Sequence, residues 1–155
     1  MRFENKGVLV TGATGGIGRE TCLQFAAEGA AVAVTDLDLA LAERLANEIE
    51  EKGGRAVGYE LDVTNQEQTD AVVNQAATDL GSIDIIFCNA GIREIQPAHQ
   101  LPLDEWKNVI EVNVTGVFVS AQSFAKHCIS ESKPGVIINT ASTLGVMGST
   151  SRCAY

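Results

Sequence analysis

The sequence contains no apolar run long enough to cross a membrane. The longest apolar runs, such as residues 83–88 with its interruption at Asp84, fall far short of the about 20 apolar residues that a membrane-spanning helix needs. The first seven residues, MRFENKG, also lack the apolar segment and small-residue cleavage site of a secretory signal. We therefore expect no membrane partner and a cytoplasmic location.

Cysteine and histidine are few and widely separated. The four cysteines form no C-x-x-C pair, and the two histidines, His99 and His127, have no partner at the spacing of a metal site. Isolated cysteines of this kind are typical of reduced thiols in the cytoplasm. The pattern predicts neither a disulfide nor a bound metal.

Positive charge is in short supply. The chain carries 11 Lys and Arg against 20 Asp and Glu, a formal net charge of −9, and such a surface repels nucleic acids and anionic membranes. Apolar residues make up 45% and charged residues 20%, which is typical of a globular domain and not of a disordered chain. We expect one domain, residues 1–155, that buries roughly 70% of its unfolded surface.

Short apolar runs rich in β-branched residues alternate with longer segments of helical periodicity. The predicted strands are the runs at residues 8–10, 30–34, 55–60, 83–88 and 136–139. All but the third are almost continuously apolar, which predicts burial on both faces of a parallel sheet. Because strands and helices alternate, the sequence predicts an α/β fold: a doubly wound parallel sheet of five strands with helices on both faces.

The segments between the strands carry helix start and stop signals. One helix ends at the glycine pair 53–54, a sequence suited to a left-handed cap. The next begins with a predicted capping box formed by Thr64 and Glu67, and it ends before Gly81. A longer segment of helical periodicity, residues 103–128, predicts a single long helix.

The first predicted strand leads directly into a glycine-rich segment, TGATGGIG, at residues 11–18. Its spacing can be written G-x-x-x-G-x-G or, through Gly15, G-x-x-G-x-x-G. A glycine-rich turn between a strand and a helix lets backbone N–H groups approach a pyrophosphate, and the helix N-terminus adds a favourable dipole. The segment therefore predicts a dinucleotide-binding loop; the alternative is a tight turn with a purely structural role.

Asp36 closes the second predicted strand. A carboxylate at this place can accept hydrogen bonds from both hydroxyls of an adenosine ribose, and it repels a 2′-phosphate. No Arg or Lys follows nearby that could hold such a phosphate, since the next charged residue is Asp38. The sequence therefore favours NAD over NADP; the alternative is an exposed strand-end aspartate without a ligand.

Further polar motifs follow the other strands. Asp62-Val63 ends the third, Asn89-Ala90-Gly91 ends the fourth, Asn113 lies in the long helix, and Ser142 is followed by Tyr155. The strand-end residues are expected at the carboxyl edge of the sheet, where α/β folds bind ligands. Taken in order with the glycine-rich segment and the aspartate of the second strand, these motifs resemble the short-chain dehydrogenase/reductase family over nearly the whole chain.

The resemblance implies a Rossmann-type fold and an enzyme that transfers a hydride between NAD(H) and a secondary alcohol or ketone. The cofactor-binding residues that it implies are Gly12, Thr14, Gly15, Gly16, Ile17, Gly18, Asp36, Asp62, Val63, Asn89, Ala90, Gly91 and Tyr155. In the same comparison Tyr155 is the general acid/base, Ser142 contacts the reacting oxygen, and Asn113 kinks its helix and holds a water. It also implies a homotetramer or homodimer with the helix of residues 103–128 at one interface.

A tyrosine suits this chemistry only with help from its surroundings. The alcohol loses its O–H proton as the hydride leaves carbon, so a base must reach that oxygen. Free tyrosine has a pKa of about 10 and is a poor base at neutral pH; in the family, a lysine four residues further on lowers that value. This position lies beyond residue 155, and we therefore expect the chain to be a fragment of a longer protein.

Four other interpretations stay open on the sequence alone. The G-x-x-G-x-x-G spacing is similar to the extended branch of the superfamily, which includes nucleotide-sugar epimerases, although residues 89–91 and the step from Ser142 to Tyr155 favour the shorter dehydrogenases. A 3-oxoacyl-carrier-protein reductase and a dinucleotide-binding module without catalysis are the second and third. A purely structural domain, the fourth, would make the glycine loop and its aspartate partners coincidental.

Overall fold

The computed structural model describes residues 1–155 as alternating strands and helices. The strands are β1 (Gly7–Thr11), β2 (Ala31–Asp36), β3 (Arg55–Glu60), β4 (Ile85–Cys88) and β5 (Val136–Asn139). The helices are α1 (Gly16–Ala27), α2 (Leu39–Glu51), α3 (Gln66–Leu80), α4 (Leu103–Ile110) and α5 (Gly116–Ser130). A π-helical segment, Glu111–Thr115, joins α4 to α5, and a 3₁₀ turn, Thr143–Gly145, follows β5.

The five strands form one parallel sheet in the order β3-β2-β1-β4-β5. Leu9 in the middle of β1 pairs with Ala33 on one side and with Ile86 on the other. The chain builds outward from β1 to β3 and then returns to the other side of β1, so the strand order changes direction between β1 and β4. The predicted α/β fold is confirmed, with all five strands present.

Helices pack on both faces of the sheet because alternate residues of each strand point to opposite faces. Val8 and Val10 of β1 belong to a buried cluster that includes Leu45 and Ile49 of α2. Leu9 belongs to the cluster on the other face, where Phe124 of α5 is buried. These two apolar layers hold the strand ends, and the loops that follow them, in fixed positions.

The capping box predicted at Thr64 is wrong. The N-cap of α3 is Asn65, whose side chain accepts a hydrogen bond from the Gln68 N–H at 3.0 Å. Thr64 does not cap the helix because its hydroxyl donates to Asp62 Oδ1 at 2.7 Å, and its N–H donates to the same oxygen. The predicted end of this helix is confirmed, since Gly81 has φ 82° and caps it in the left-handed conformation.

Two-sided burial is also wrong for one of the four strands for which it was predicted. All four residues of β5 are exposed, whereas those of β1 are buried throughout. The reason is that β5, at one end of the sheet, contacts chiefly β4, whereas β3, at the other end, is covered by α2. Apolar composition predicted the strand correctly, but it did not predict that its side chains are exposed.

The helix predicted over residues 103–128 is a continuous helical stretch of three parts, α4, the π segment and α5. Val109 and Phe124 face the core, and Trp106, Val114 and Phe118 are exposed. Asn113 lies in the middle of the π segment, the one place where the helical repeat widens. None of the helices combines the length and hydropathy that a membrane crossing requires.

Candidate functional site

A cleft of about 850 Å³ runs along the carboxyl edge of the sheet. It is lined by the loops that follow β1 and β4, where the strand order changes direction, and open α/β sheets bind ligands at such points. All but one of the site residues predicted from the sequence line this cleft. They are Gly12, Thr14, Gly15, Gly16, Ile17, Asp36, Asp62, Val63, Asn89, Ala90, Gly91, Asn113, Ser142 and Tyr155.

The turn between β1 and α1 leaves backbone N–H groups open to the cleft. Gly12 has φ +59°, and a Cβ there would lie 2.7 Å from the Ala90 Cα. Gly15 is the N-cap of α1 and no side chain caps this helix, so the N–H groups of its first turn lack intrahelical acceptors. A Cβ at Gly16 would meet no atom within 4 Å. The turn therefore fits a pyrophosphate, whose oxygens accept from such groups.

Gly18 is the predicted site residue that does not line the cleft. It is buried behind the turn, where an added Cβ would collide with the Gly12 carbonyl oxygen and lie 2.9 Å from Asn89 Nδ2. Its lack of a side chain lets α1 approach the strand ends closely. The structure thus gives Gly18 a packing role, and its assignment as a cofactor contact stays a prediction.

The carboxylate of Asp36 is tied to the loop after β1. Oδ2 accepts hydrogen bonds from the Thr14 N–H at 3.0 Å and from the Thr14 hydroxyl at 2.6 Å. Oδ1 accepts from the Leu37 N–H at 2.9 Å. Because each carboxylate oxygen has two lone pairs, Oδ1 keeps capacity for a further donor such as a ribose hydroxyl. Arg93, on the loop after β4, is the only basic residue that lines the cleft.

Thr11 positions the loops of the cleft, a role that sequence reasoning missed. Its buried hydroxyl accepts hydrogen bonds from the N–H groups of Asn89 and Ala90, each at 3.0 Å. Asn89 Nδ2 in turn donates to the carbonyl oxygens of Thr11 and Gly12 at 3.1 and 3.0 Å. These bonds lock the loops after β1 and β4 together. The signal was present, since Thr11 is the first residue of the glycine-rich motif.

Asn113 holds the start of the loop after β4. Its Oδ1 accepts from the Ile92 N–H, and its Nδ2 donates to the Ile92 carbonyl oxygen, both at 2.8 Å. A side-chain amide that satisfies both backbone groups of one residue fixes that residue in place much as a neighbouring strand would. Gly91 lies against the same amide, and a Cβ there would be 3.3 Å from Asn113 Oδ1. The π segment therefore anchors the cleft wall.

Ser142 and Tyr155 reach the cleft from the segment after β5. Ser142 caps the 3₁₀ turn, and its Oγ accepts a hydrogen bond from the Leu144 N–H at 3.1 Å. Because the oxygen is the acceptor in that bond, the hydroxyl hydrogen is available for donation to a ligand oxygen. Tyr155 is 42% exposed and adds a phenol to the same cleft. The cleft thus combines a hydrogen-bond donor with a group able to exchange a proton.

Apolar side chains complete the lining of the cleft. Leu37 follows β2 directly, Ile92 follows the Asn-Ala-Gly motif, and Val112 and Val114 flank Asn113. Each is next to a predicted site residue in the sequence, so this adjacency was the available signal. Their apolar surfaces suit the flat faces of an aromatic ligand.

Comparison with known proteins agrees with this geometry. The family model described as short chain dehydrogenase matches residues 6–155. The chain is 35% identical over 154 residues to a cis-4-hydroxycyclohexanecarboxylate dehydrogenase of Sinomonas cyclohexanicum, covering 99% of this chain and 61% of that protein. It is 36% identical over 155 residues to a 3-oxoacyl-[acyl-carrier-protein] reductase of Thermotoga maritima, covering 100% of this chain and 63% of that protein.

Solved structures match equally well. The NAD⁺-bound structure of a xylitol dehydrogenase superposes with a TM-score of 0.94 at 37% identity, covering 100% of this chain and 60% of that one. The chain therefore spans about 60% of the length of each of these proteins.

Proposed function

The chain belongs to the short chain dehydrogenase family, and we propose that the protein transfers a hydride between NAD(H) and a secondary alcohol or ketone. The observation that carries this proposal is the single cleft at the carboxyl edge of the sheet. It is lined both by the glycine-rich turn with Asp36 and by Asn113, Ser142 and Tyr155. A cofactor laid along the first group would present its reactive end to the second.

The residues present fit NAD. The N–H groups at the start of α1 would hold the pyrophosphate, and Asp36 would accept from the adenosine ribose hydroxyls through its free lone pair. A 2′-phosphate would meet the charge of this carboxylate, and the one basic side chain of the cleft lining, Arg93, lies on the loop after β4 and not after β2. The NAD⁺-bound state of the similar xylitol dehydrogenase supports the same preference.

The catalytic residues manage the proton and the charge on the substrate oxygen. The nicotinamide, when bound, supplies the chemistry of hydride transfer. The Ser142 hydroxyl donates to the substrate oxygen and stabilises the charge that develops there. Tyr155 accepts the proton from that oxygen in oxidation and returns it in reduction. Asn113, through Ile92, keeps the wall of the cleft in place.

The test compares the two tyrosines of the chain in the intact gene product. Tyr155→Phe should lower kcat by about 10²- to 10⁴-fold, the usual worth of a general acid/base, while the Kd for NAD changes little. Tyr59→Phe is the matched control, because Tyr59 lies on β3, its phenol donates to Asp79 on α3, and it does not line the cleft. The absorbance of reduced nicotinamide, followed with a panel of secondary alcohols and ketones, measures kcat for both variants, and titration with NAD measures the Kd.

Two results would contradict the proposal. Equal kcat values for wild type and Tyr155→Phe would remove the tyrosine from the reaction. Binding of NAD without turnover of any alcohol or ketone would favour the non-catalytic module.

A second candidate, reduction of a 3-oxoacyl thioester, is favoured by the similarity to the Thermotoga maritima enzyme. The same assay separates the two functions when a 3-oxoacyl thioester is added to the panel with NADH and NADPH. The homodimer or homotetramer expected from the resemblance is part of the first proposal.

A further inference from the structure

Glu94, on the loop after β4, is a buried carboxylate that the proposed reaction does not use. Only 3% of the residue is exposed. Its Oε1 accepts a hydrogen bond from the Ala154 N–H at 2.9 Å, and Ala154 directly precedes Tyr155. The other oxygen, Oε2, is buried without a hydrogen-bond partner.

The contact is reciprocal and extends over several residues. Arg152 Nη1 donates to the Glu94 carbonyl oxygen at 2.9 Å. Gln96 forms a parallel β-bridge with Arg152. The loop after β4 and the segment before Tyr155 are thus paired by one side chain from each partner and by their backbones.

We propose that Glu94 is a positioning residue that holds Tyr155 in its working place; the proposal rests on the proposed function. The amide that Glu94 binds belongs to Ala154, so the bond fixes the backbone immediately before the tyrosine. The other end of the Glu94 loop is fixed at Ile92 by the Asn113 side chain. Asn113 and Tyr155 are therefore connected through one short loop.

The unpaired oxygen argues that this carboxylate does more than stabilise the fold. Buried polar atoms are nearly always hydrogen-bonded, and an unpaired one destabilises the folded chain. A residue chosen only for stability would not leave Oε2 buried without a partner. A carboxylate at this position is explained if the bond from Oε1 to the Ala154 amide serves the geometry of the cleft.

The experiment uses Glu94→Ala and Glu94→Gln in the intact gene product. A glutamine oxygen can still accept from the Ala154 N–H, whereas alanine removes the acceptor. Glu105→Ala, which removes an exposed glutamate from the first turn of α4, is the matched control. Four quantities are measured: kcat, the Kd for NAD, the primary deuterium isotope effect on kcat/KM, and amide hydrogen exchange at Ala154.

We expect Glu94→Ala to lower kcat by about 10- to 100-fold, since a displacement near 1 Å at a reacting group can cost about 10²-fold. The Kd for NAD should stay within about threefold, and the isotope effect should increase because the proton-coupled hydride step becomes slower. Exchange at the Ala154 amide should become faster by at least about tenfold, because its acceptor is lost. Glu94→Gln and Glu105→Ala should both stay near wild type.

Three results would overturn the proposal while the wild type is active. The first is an unchanged rate of amide exchange at Ala154 in Glu94→Ala, and the second is a kcat for this variant equal to that of the wild type. The third is a fall in kcat that only matches the fall in the amount of protein able to bind NAD, with an unchanged isotope effect. Absence of turnover in the wild type would instead overturn the proposed function, and with it the catalytic part of this inference.

Discussion

Asp36 serves two sets of contacts with one carboxylate. Oδ2 is engaged by the N–H and the hydroxyl of Thr14, and Oδ1 by the N–H of Leu37. The residue therefore shapes the turn after β1 as well as presenting charge to the cleft. Its position at a strand end was evident from the sequence, but its bonds to Thr14 were not, since they join residues 22 positions apart.

Replacement of Asp36 tests the cofactor preference. Asp36→Ala should raise the Kd for NAD by about 10- to 100-fold, because hydrogen bonds to a charged group are worth about 1.5–3 kcal/mol. The preference for NAD over NADP should narrow, because the charge that repels a 2′-phosphate is gone. Titration of both dinucleotides measures the ratio.

Asp38→Ala is the matched control for this experiment. Asp38 caps α2 by accepting from the Leu41 N–H, and it does not line the cleft. Its loss should cost stability, about 1 kcal/mol, and leave the cofactor ratio unchanged. If Asp36→Ala also left the ratio unchanged, the assignment of Asp36 to the ribose would be wrong.

The irregular middle of the long helical stretch is the part that binds the loop after β4. Periodicity predicted one helix over residues 103–128. It could not predict the π segment, because five residues are too few to show a hydrophobic repeat that differs from that of an α-helix. In the structure this segment presents Asn113 to both backbone groups of Ile92. π-helical insertions are frequent at functional sites, where they reorient a side chain at a cost in helix regularity.

Asn113→Leu tests whether this contact supports the cleft. The substitution leaves the part-buried N–H and carbonyl of Ile92 without partners, which should destabilise the protein by about 1–3 kcal/mol. It should also lower kcat, because the loop that carries Ile92 and Glu94 loses its anchor. Urea unfolding and the alcohol assay measure the two effects. Asn108→Leu, an exposed site on α4, is the control; equal effects at both positions would contradict the anchor role.

The carboxyl and amino ends of the strands have different roles in the whole molecule. The cleft lies at the carboxyl edge, and at the opposite edge Asp84 connects the segments that lead into β1 and β4. This carboxylate accepts from the Gly7 N–H at 2.9 Å, the Ser82 hydroxyl at 2.7 Å and Lys6 Nζ at 3.3 Å. Partial burial opposes its ionisation, but these donors outweigh burial, so the pKa of Asp84 lies below its ordinary value of 3.8.

A depressed pKa of Asp84 predicts the direction of acid sensitivity. The folded state favours the carboxylate, so this stabilisation is complete above pH 3.8 and is lost as pH falls through the lower pKa of the folded protein. Asp84→Asn should reduce the free energy of unfolding at pH 7 by about 1–3 kcal/mol. The difference from wild type should shrink on acidification below that value.

Urea unfolding at a series of pH values measures this dependence. Asp104→Asn is the control, because Asp104 is an exposed acid in the first turn of α4. A difference between wild type and Asp84→Asn that stayed constant down to pH 2 would refute the linkage to this carboxylate.

Most of the architecture, and the location of the site, could be predicted from the sequence. Strand and helix type depend on local periodicity, and the glycine-rich turn between β1 and α1 is a local pattern as well. The carboxyl ends of parallel strands lie at one edge of the sheet, which places Asp36, Asp62 and Asn89 together from the sequence alone. Local patterns suffice here because backbone conformation is decided mainly by near neighbours in the chain.

Tertiary packing decided the features that depend on residues far apart in sequence. The exposure of β5, the close packing at Gly18 and the pairing of Glu94 with Ala154 follow from which layers meet. Such contacts produce no repeating pattern in the sequence, because a buried hydrogen bond involves only one residue from each of the two segments that it joins. The chain itself therefore specified the sheet and the glycine-rich turn after β1, whereas only the folded layers determined that Glu94 contacts the segment before Tyr155.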